Sequence, residues 1–322
     1  MTTSPSAPGV TAGAGRAGRF GGTAGADGPL PGPLPGPLPT ALLTAIAPAT
    51  WGTFYVVTTE LLPPGHPLFA GLLRALPAGL IALAIGRTLP RGGAWWGKAA
   101  VLGVLNIGLT FPFLAIAAER LPGGVAATLA AAQPLAVALL ATAVLRERLS
   151  AWRLAWGVTG MAGVGLVVIG PAASFDPVGI AAGLGSAASM ALGVTLTRRW
   201  GRPAGVGPTA FAGWQLTAGG LFLLPVTFLA EGGPPTIDAS AVLGYAWLGL
   251  VGGLLAFVLW FRGLTALPVT SVAVLVLLSP LVATVLGAVV LGQTLGPVQV
   301  VGFGLALAAI VAGQLPAPRG GG

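Results

Sequence analysis

Cysteine is absent from the 322 residues and histidine occurs once. No disulfide framework, iron–sulfur cluster or thiolate zinc site can be built, and with a single histidine neither metal catalysis nor a cofactor is expected. Charge is scarce too: 7% of residues are charged against 55% hydrophobic, with a mean hydropathy of +0.92. A soluble domain carries about a quarter charged residues, so this chain cannot make a water-facing surface. The net charge of +8 and pI near 11.6 raise the question of nucleic acid. Binding nucleic acid needs a concentrated basic patch, and here the basic residues stand singly or in threes between long apolar runs. That pattern argues against nucleic acid and points to the lipid bilayer as the partner.

What the chain has in quantity is glycine, proline and apolar length. Residues 1–38 mix small residues and proline without the compact hydrophobic core of a signal peptide. The four-residue repeat running from Pro29 to Pro39 blocks helix hydrogen bonding. Residues 1–39 therefore read as a disordered cytoplasmic tail ending in a stiff spacer. Beyond it come ten apolar segments, at 41–59, 67–87, 95–117, 122–145, 152–170, 178–197, 207–229, 240–261, 268–291 and 296–315. Each approaches the roughly 20 residues a membrane helix needs. The expected fold is an all-α membrane protein of ten transmembrane helices, with a short tail at 316–322.

Loop charge supplies an independent reading, because cytoplasmic loops are enriched in Lys and Arg. With a cytoplasmic N-terminus, the inner connections hold Arg87, Arg91 and Lys98, then Arg146, Arg148 and Arg153, then Arg198, Arg199 and Arg202, and last Arg262. Glu60, Glu119, Asp176, Glu231 and Asp238 fall at the outer face. Ten helices with both termini cytoplasmic, in the plasma (inner) membrane, follow as the expectation.

Residues 121–149 repeat at 267–295: Leu121-Pro122 matches Leu267-Pro268, Pro134-Leu135 matches Pro280-Leu281, and Val144-Leu145 matches Val290-Leu291. An offset spanning five helices, an odd number, turns the second copy upside down. The expected halves are residues 40–171 and 177–315, related as inverted repeats, an architecture in which transporters hold substrate near the midplane.

Candidate site residues are those that are costly in lipid. Arg74 sits about 10 Å below the outer end of the second segment, where a charge costs about 2.5 to 3.5 kcal/mol. It reads either as an anion or carboxylate clamp or as a side chain that snorkels outward or pairs with Glu60. Pro134 and Pro280, preceded by Gln133 and Ser279, interrupt helices at equivalent places in the repeat, which reads either as a transporter site or as the proline common in membrane helices for packing alone. Trp51, Tyr55, Asn106, Trp214, Gln215 and Trp260 complete the candidate cavity. Trp95, Trp96, Trp152, Trp156 and Trp200, beside the basic loops, read as interfacial anchors. Gly92-x-x-x-x-Gly97-Lys98 nearly spells a phosphate loop, but Ala99 stands where the magnesium-binding hydroxyl belongs, and no strand precedes it.

The run Ala47-Pro48-Ala49-Thr50-Trp51-Gly52-Thr53-Phe54-Tyr55-Val56-Val57 resembles the Trp-Gly opening of EamA-type proteins of the drug/metabolite transporter superfamily. Leu73-Arg74-Ala75 and Leu145-Arg146-Glu147-Arg148-Leu149 are similar to that family in the same order, and the likeness covers roughly 41–315. It implies a carrier or exporter of a small metabolite, amino acid or drug working by alternating access, not an enzyme. Gln293 stands in the second repeat where Glu147 stands in the first, and no acidic residue lies at mid-membrane. Glu60 and Glu119 are then the candidate coupling groups, and proton-coupled and facilitated transport both stay open. A scaffold or receptor and a membrane-embedded enzyme are the alternatives, and the partners admit a second copy of the chain.

Overall fold

The computed structural model describes residues 37–120, 129, 132–146, 150–168, 176–290 and 296–315. Among the described residues the chain is helical, and seven helices are long and apolar enough to cross a membrane. The first is broken into α1 (Pro37–Gly52) and α2 (Phe54–Leu61). Pro37 and Pro39, read above as spacer, fall in the first turn of α1, where a missing N–H costs nothing. The break follows Pro48, and the hydroxyls of Thr50 and Thr53 bond back to the carbonyls of Ala47 and Thr50.

Next come α3 (Pro67–Gly86) and α4 (Gly93–Gly103), which continues through a π-helical segment, Val104–Leu109, into α5 (Thr110–Arg120). Then follow α6 (Gln133–Leu145), α7 (Ala151–Val168), α8 (Pro177–Trp200) and α9 (Pro208–Glu231). In the second half α10 (Ala239–Ala246) runs through another π segment, Trp247–Leu255, into α11 (Ala256–Ala266). Two pieces of one apolar stretch, α12 (Val269–Leu275) and α13 (Leu278–Val290), precede α14 (Pro297–Gln314). Pro134 and Pro280 lie in the first turns of α6 and α13 respectively, each just after a break. Tight bonds from Leu277 N–H to Val274 O and from Ser279 N–H to Val276 O bridge the second break.

Both π segments occupy matching places in the repeat, since Val104–Leu109 moved by the offset of 146 falls inside Trp247–Leu255. A π turn leaves a backbone carbonyl without its regular partner. In the first segment the Leu105 carbonyl takes hydroxyls from Thr110 (2.8 Å) and Ser189 (2.9 Å). Gly252 plays the same part in the second, as described below.

Packing follows the repeat. The most extensive contact joins α3 to α9, and the next joins α7 to α14, each pairing equivalent helices of the two halves. Contacts between different helices come in reciprocal pairs: α1 packs on α11 as α8 packs on α5, and α1 packs on α13 as α8 packs on α6. Where α3 crosses α9, a Cβ on Gly79 would lie 2.5 Å from the Thr217 nitrogen, and one on Gly220 would lie 2.7 Å from Leu76 Cβ. Both helices open with a proline, Pro67 and Pro208, and by that register Gly79 matches Gly220 and Leu76 matches Thr217. Reciprocity of this kind is what an approximate two-fold between halves produces. Trp260, Phe211, Phe257 and Phe261 fill the centre, and large apolar side chains such as Leu229, Val289 and Leu243 stand outward.

Charge separates to the two ends. At one, Arg198 donates to the Leu264 and Thr265 carbonyls and Arg199 to that of Val144. At the other, the Glu231 carboxylate accepts the Leu68 and Phe69 N–H groups at 2.5 and 2.9 Å, and Arg120 pairs with Asp176 at 3.7 Å.

Candidate functional site

The start of α3 positions Arg74. Pro67 occupies its first turn, no side chain of its own loop caps it, and the orphan donors are taken instead by Glu231 of α9. A carboxylate at a helix N-terminus is favoured by the dipole, so this contact ties α3 to α9 at the acidic end. Two turns further on, Arg74 is 7% exposed. Its Nε and Nη2 donate to the Gly252 carbonyl at 3.2 and 3.0 Å, and Trp51 Nε1 donates to the same oxygen at 3.1 Å. The approach depends on Gly253, where a Cβ would lie 2.5 Å from the Arg74 carbonyl. Thus the π segment holds Arg74 by a carbonyl freed from its own ladder.

Four aromatic rings surround the guanidinium. Its Cζ lies 5.1 Å from the Phe111 ring centre, 5.7 Å from Phe54, 5.8 Å from Phe257 and 5.9 Å from Trp51. Each such contact contributes about 0.5 to 2 kcal/mol, more where water is excluded, which offsets part of the cost of burying the charge. Among the described residues no carboxylate pairs with Arg74, and its Nη1 takes no hydrogen bond. Pairing with Glu60 is therefore corrected: Glu60 is exposed at the end of α2, whereas Arg74 turns inward to the rings.

Trp51 packs tilted against Trp260, ring centres 5.1 Å apart, and the Trp260 Nε1 is buried without a partner among the described residues. A Cβ on the adjacent Gly52 would meet the Ser279 carbonyl at 2.6 Å, so the Ser279–Pro280 kink lies against the helix that carries Trp51. Pro134 belongs elsewhere, in a crevice with Arg153 and Thr270. Gln133 is buried, and its Nε2 has no partner among the described residues. Trp214 donates to the Thr88 carbonyl at 2.7 Å and packs on Trp95 and Phe211 at the basic end, which makes it an anchor of that end and not part of the cage. The side chains of Tyr55 and Glu119 lie outside the described residues.

Asn106 and Gln215 form a second polar cluster. Asn106 Nδ2 donates to Gln215 Oε1 at 2.8 Å and to Thr197 Oγ1 at 3.3 Å. All three residues are fully buried, and Asn106 Oδ1 faces Gly193, whose Cβ would come within 2.3 Å of it. This is a dry polar tie between helices. The registers already noted make it the counterpart of the Arg74 cluster: Asn106 matches Gly252 and Gln215 matches Arg74. One half thus presents a cation among rings where the other presents a neutral amide.

Phe54, Phe111, Phe257 and Gly252 were not singled out by sequence reading. A repeat comparison carried further would have met two of them, since Phe111 and Phe257 also stand 146 residues apart. No group of three His, Asp or Glu side chains able to hold a metal occurs among the described residues.

The two halves have known relatives. Residues 38–169 and again 177–312 match the EamA-like transporter family. Protein PecM of Dickeya dadantii is 44% identical over 265 residues, covering 82% of this chain and 89% of its own. A chloroplastic WAT1-related protein of Arabidopsis thaliana is 28% identical over 282 residues, 83% of this chain and 67% of its own. A probable terminal-alkyne amino-acid exporter of Streptantibioticus cattleyicolor is 28% identical over 195 residues, 60% of this chain and 64% of its own. A solved crystal structure superposes with a TM-score of 0.73 at 21% identity, over 85% of this chain and 96% of its own, a likeness of fold. Matched in both halves, the chain is a multi-pass membrane transporter and belongs to the EamA-like transporter family.

Proposed function

We propose that the protein is a secondary transporter that exports a small metabolite, amino acid or drug by alternating access, with Arg74 holding an anionic group of the substrate. The observation that carries this reading is a buried guanidinium with a free Nη1 and no carboxylate partner among the described residues. A lone buried cation is costly, and such residues inside membranes mark substrate paths. A substrate carboxylate supplies the missing countercharge, and the unpaired Trp260 Nε1 beside Trp51 offers a second donor. In this reading ten membrane helices form two inverted five-helix halves, 40–171 and 177–315, with the site between them. Both termini then face the cytoplasm from the inner membrane, and the cycle is either facilitated or coupled to protons through Glu60 or Glu119.

The test is uptake and counterflow in liposomes over a panel of radiolabelled amino acids and carboxylates. Amino acids belong in the panel because the Streptantibioticus relative is named for exporting one. Arg74→Ala should lower transport more than tenfold, since truncating a buried, hydrogen-bonded charge costs roughly 2 to 5 kcal/mol. Arg74→Lys should fall between, because a point charge cannot serve Gly252 and a carboxylate with one planar fork. Unchanged kinetics in Arg74→Ala, with normal insertion, would take Arg74 out of the site.

A further inference from the structure

Glu231 is the last residue of α9, where the dipole of its own helix disfavours a negative charge. Both its oxygens go to another helix, to the Leu68 and Phe69 N–H groups that open α3. At the same end, α8 and α10 take a capping carboxylate from the residue just before them, Asp176 and Asp238. Before α3 stands His66, whose side chain makes no cap. A local preference is thus given up in α9, and what it secures is the first turn of α3, from the opposite half of the chain. The hold belongs to one half. By the register that matches Pro67 to Pro208, Glu231 corresponds to Pro90 and Arg74 to Gln215. Pro90 has no carboxylate to offer the start of α9, where Gly207 stands without a side-chain cap. Of two equivalent helices, the one that carries the cation is the one fastened from the other half.

Arg74 lies six residues beyond Leu68, about 9 Å along the helix, and five residues before Gly79, where α3 and α9 interlock. Between these points α3 faces the second π segment through glycines: a Cβ on Gly249 would lie 3.4 Å from the Leu73 carbonyl, and one on Gly253 2.5 Å from that of Arg74. Such a face allows close approach but offers no side chain to stop α3 from shifting along it. The bonds from Arg74 to the Gly252 carbonyl, at 3.2 and 3.0 Å, tolerate little shift. Displacement by one residue, about 1.5 Å along the axis, takes them out of hydrogen-bond reach. Phe69 adds to the hold. Its ring lies edge-on to Tyr245, centres 5.9 Å apart, on α10, the helix that leads into Gly252. Glu231 therefore fastens the turn of α3 that also touches the helix of the acceptor.

We propose that Glu231 is a positioning residue for transport: by holding the first turn of α3 from the other half, it keeps Arg74 at the depth where the guanidinium meets the Gly252 carbonyl. Its bearing on transport rests on Arg74 as the substrate's clamp, whereas the position of Arg74 can be read without substrate. In full-length protein carrying arginine labelled with heavy nitrogen, the Arg74 Nε–H resonance, identified by its loss in Arg74→Lys, reports the bond to Gly252. Exchange of that proton with solvent should become about tenfold faster in Glu231→Ala, as when one hydrogen bond of a charged group is lost. Glu231→Gln should fall between, because its one acceptor oxygen still serves one of the two N–H groups, and that variant keeps the helix start capped in part. Asp176→Asn, which removes a cap of the same kind from α8, should leave the signal unchanged. An Arg74 signal unmoved in Glu231→Ala, while the Leu68 and Phe69 amides lose protection, would reduce Glu231 to a local cap and overturn the proposal. Equal acceleration in Asp176→Asn would overturn it too, as general loosening. Unchanged transport in Arg74→Ala would remove the clamp alone and leave the hold of Glu231 on Arg74 standing.

Discussion

At Arg74 the energetics turn on one carbonyl. The Gly252 oxygen receives three N–H groups from two helices, and it is free to do so because the π segment relieves it of its usual partner. The rings then replace water around the guanidinium without supplying a negative charge, which is why we propose that the substrate brings the countercharge. At the equivalent place in the other half, Asn106 spends its amide on Gln215 and Thr197, and close packing against Gly193 makes that site structural. Gly193→Ala should therefore destabilise the protein by about 1 to 3 kcal/mol, the usual cost of overpacking. Its thermal midpoint in detergent should fall, and Asn106→Ala in the same background should recover part of the loss. A midpoint unchanged by Gly193→Ala would mean that this contact is loose.

Helix ends at the acidic face are organised by carboxylates. Asp176 caps α8 through the Gly179 N–H at 2.7 Å, and Asp238 caps α10 through that of Ala241 at 2.8 Å. The Ala241 N–H, and next the Ser240 hydroxyl, hold the Asp238 carboxyl below its ordinary value of 3.8. A lowered folded-state pKa means the cap contributes fully above that ordinary value and is lost only as pH falls through the lowered one. The carboxyl carbon resonance of Asp238 should accordingly titrate at lower pH than that of an unstructured aspartate peptide. Titration in step with the peptide would show that the cap is not formed in solution. The π segments act at the same scale, since each turns a run of apolar residues into a carbonyl that another helix can use.

For the whole molecule, segregation of charge decides orientation. Basic residues gather where α8 meets α11 and α6, and acidic ones where α9 meets α3, so a single inversion of the chain would reverse every loop. Because the chain has no cysteine, introduced ones report cleanly. Ala204→Cys, between α8 and α9, should react with an impermeant thiol reagent only from the cytoplasm. Gly233→Cys, just beyond α9, should react only from outside. The opposite labelling pattern would invert the topology.

Much of this was legible in the chain itself. Scarce charge and long apolar runs dictate membrane helices, because the cost of lipid exposure acts on each residue where it stands. The prolines at 134 and 280 announce breaks, because a missing N–H is a local property. Arg74 was visible as a costly charge, though its company was not: Phe54, Phe111 and Phe257 are unremarkable letters in an apolar chain. Nor could spacing reveal that Gly252 would be the acceptor, or that Gln215 would turn to Asn106 and Trp214 to Thr88. Those choices depend on helices far apart in sequence crossing at particular residues, where close approach, not composition, sets which polar atoms meet. The amino-acid sequence by itself determined that the protein spans a membrane with charges sorted to its ends. Only the tertiary structure decided which cation, among the described residues, stays without a carboxylate at its centre, because pairing in lipid is settled by packing between distant helices.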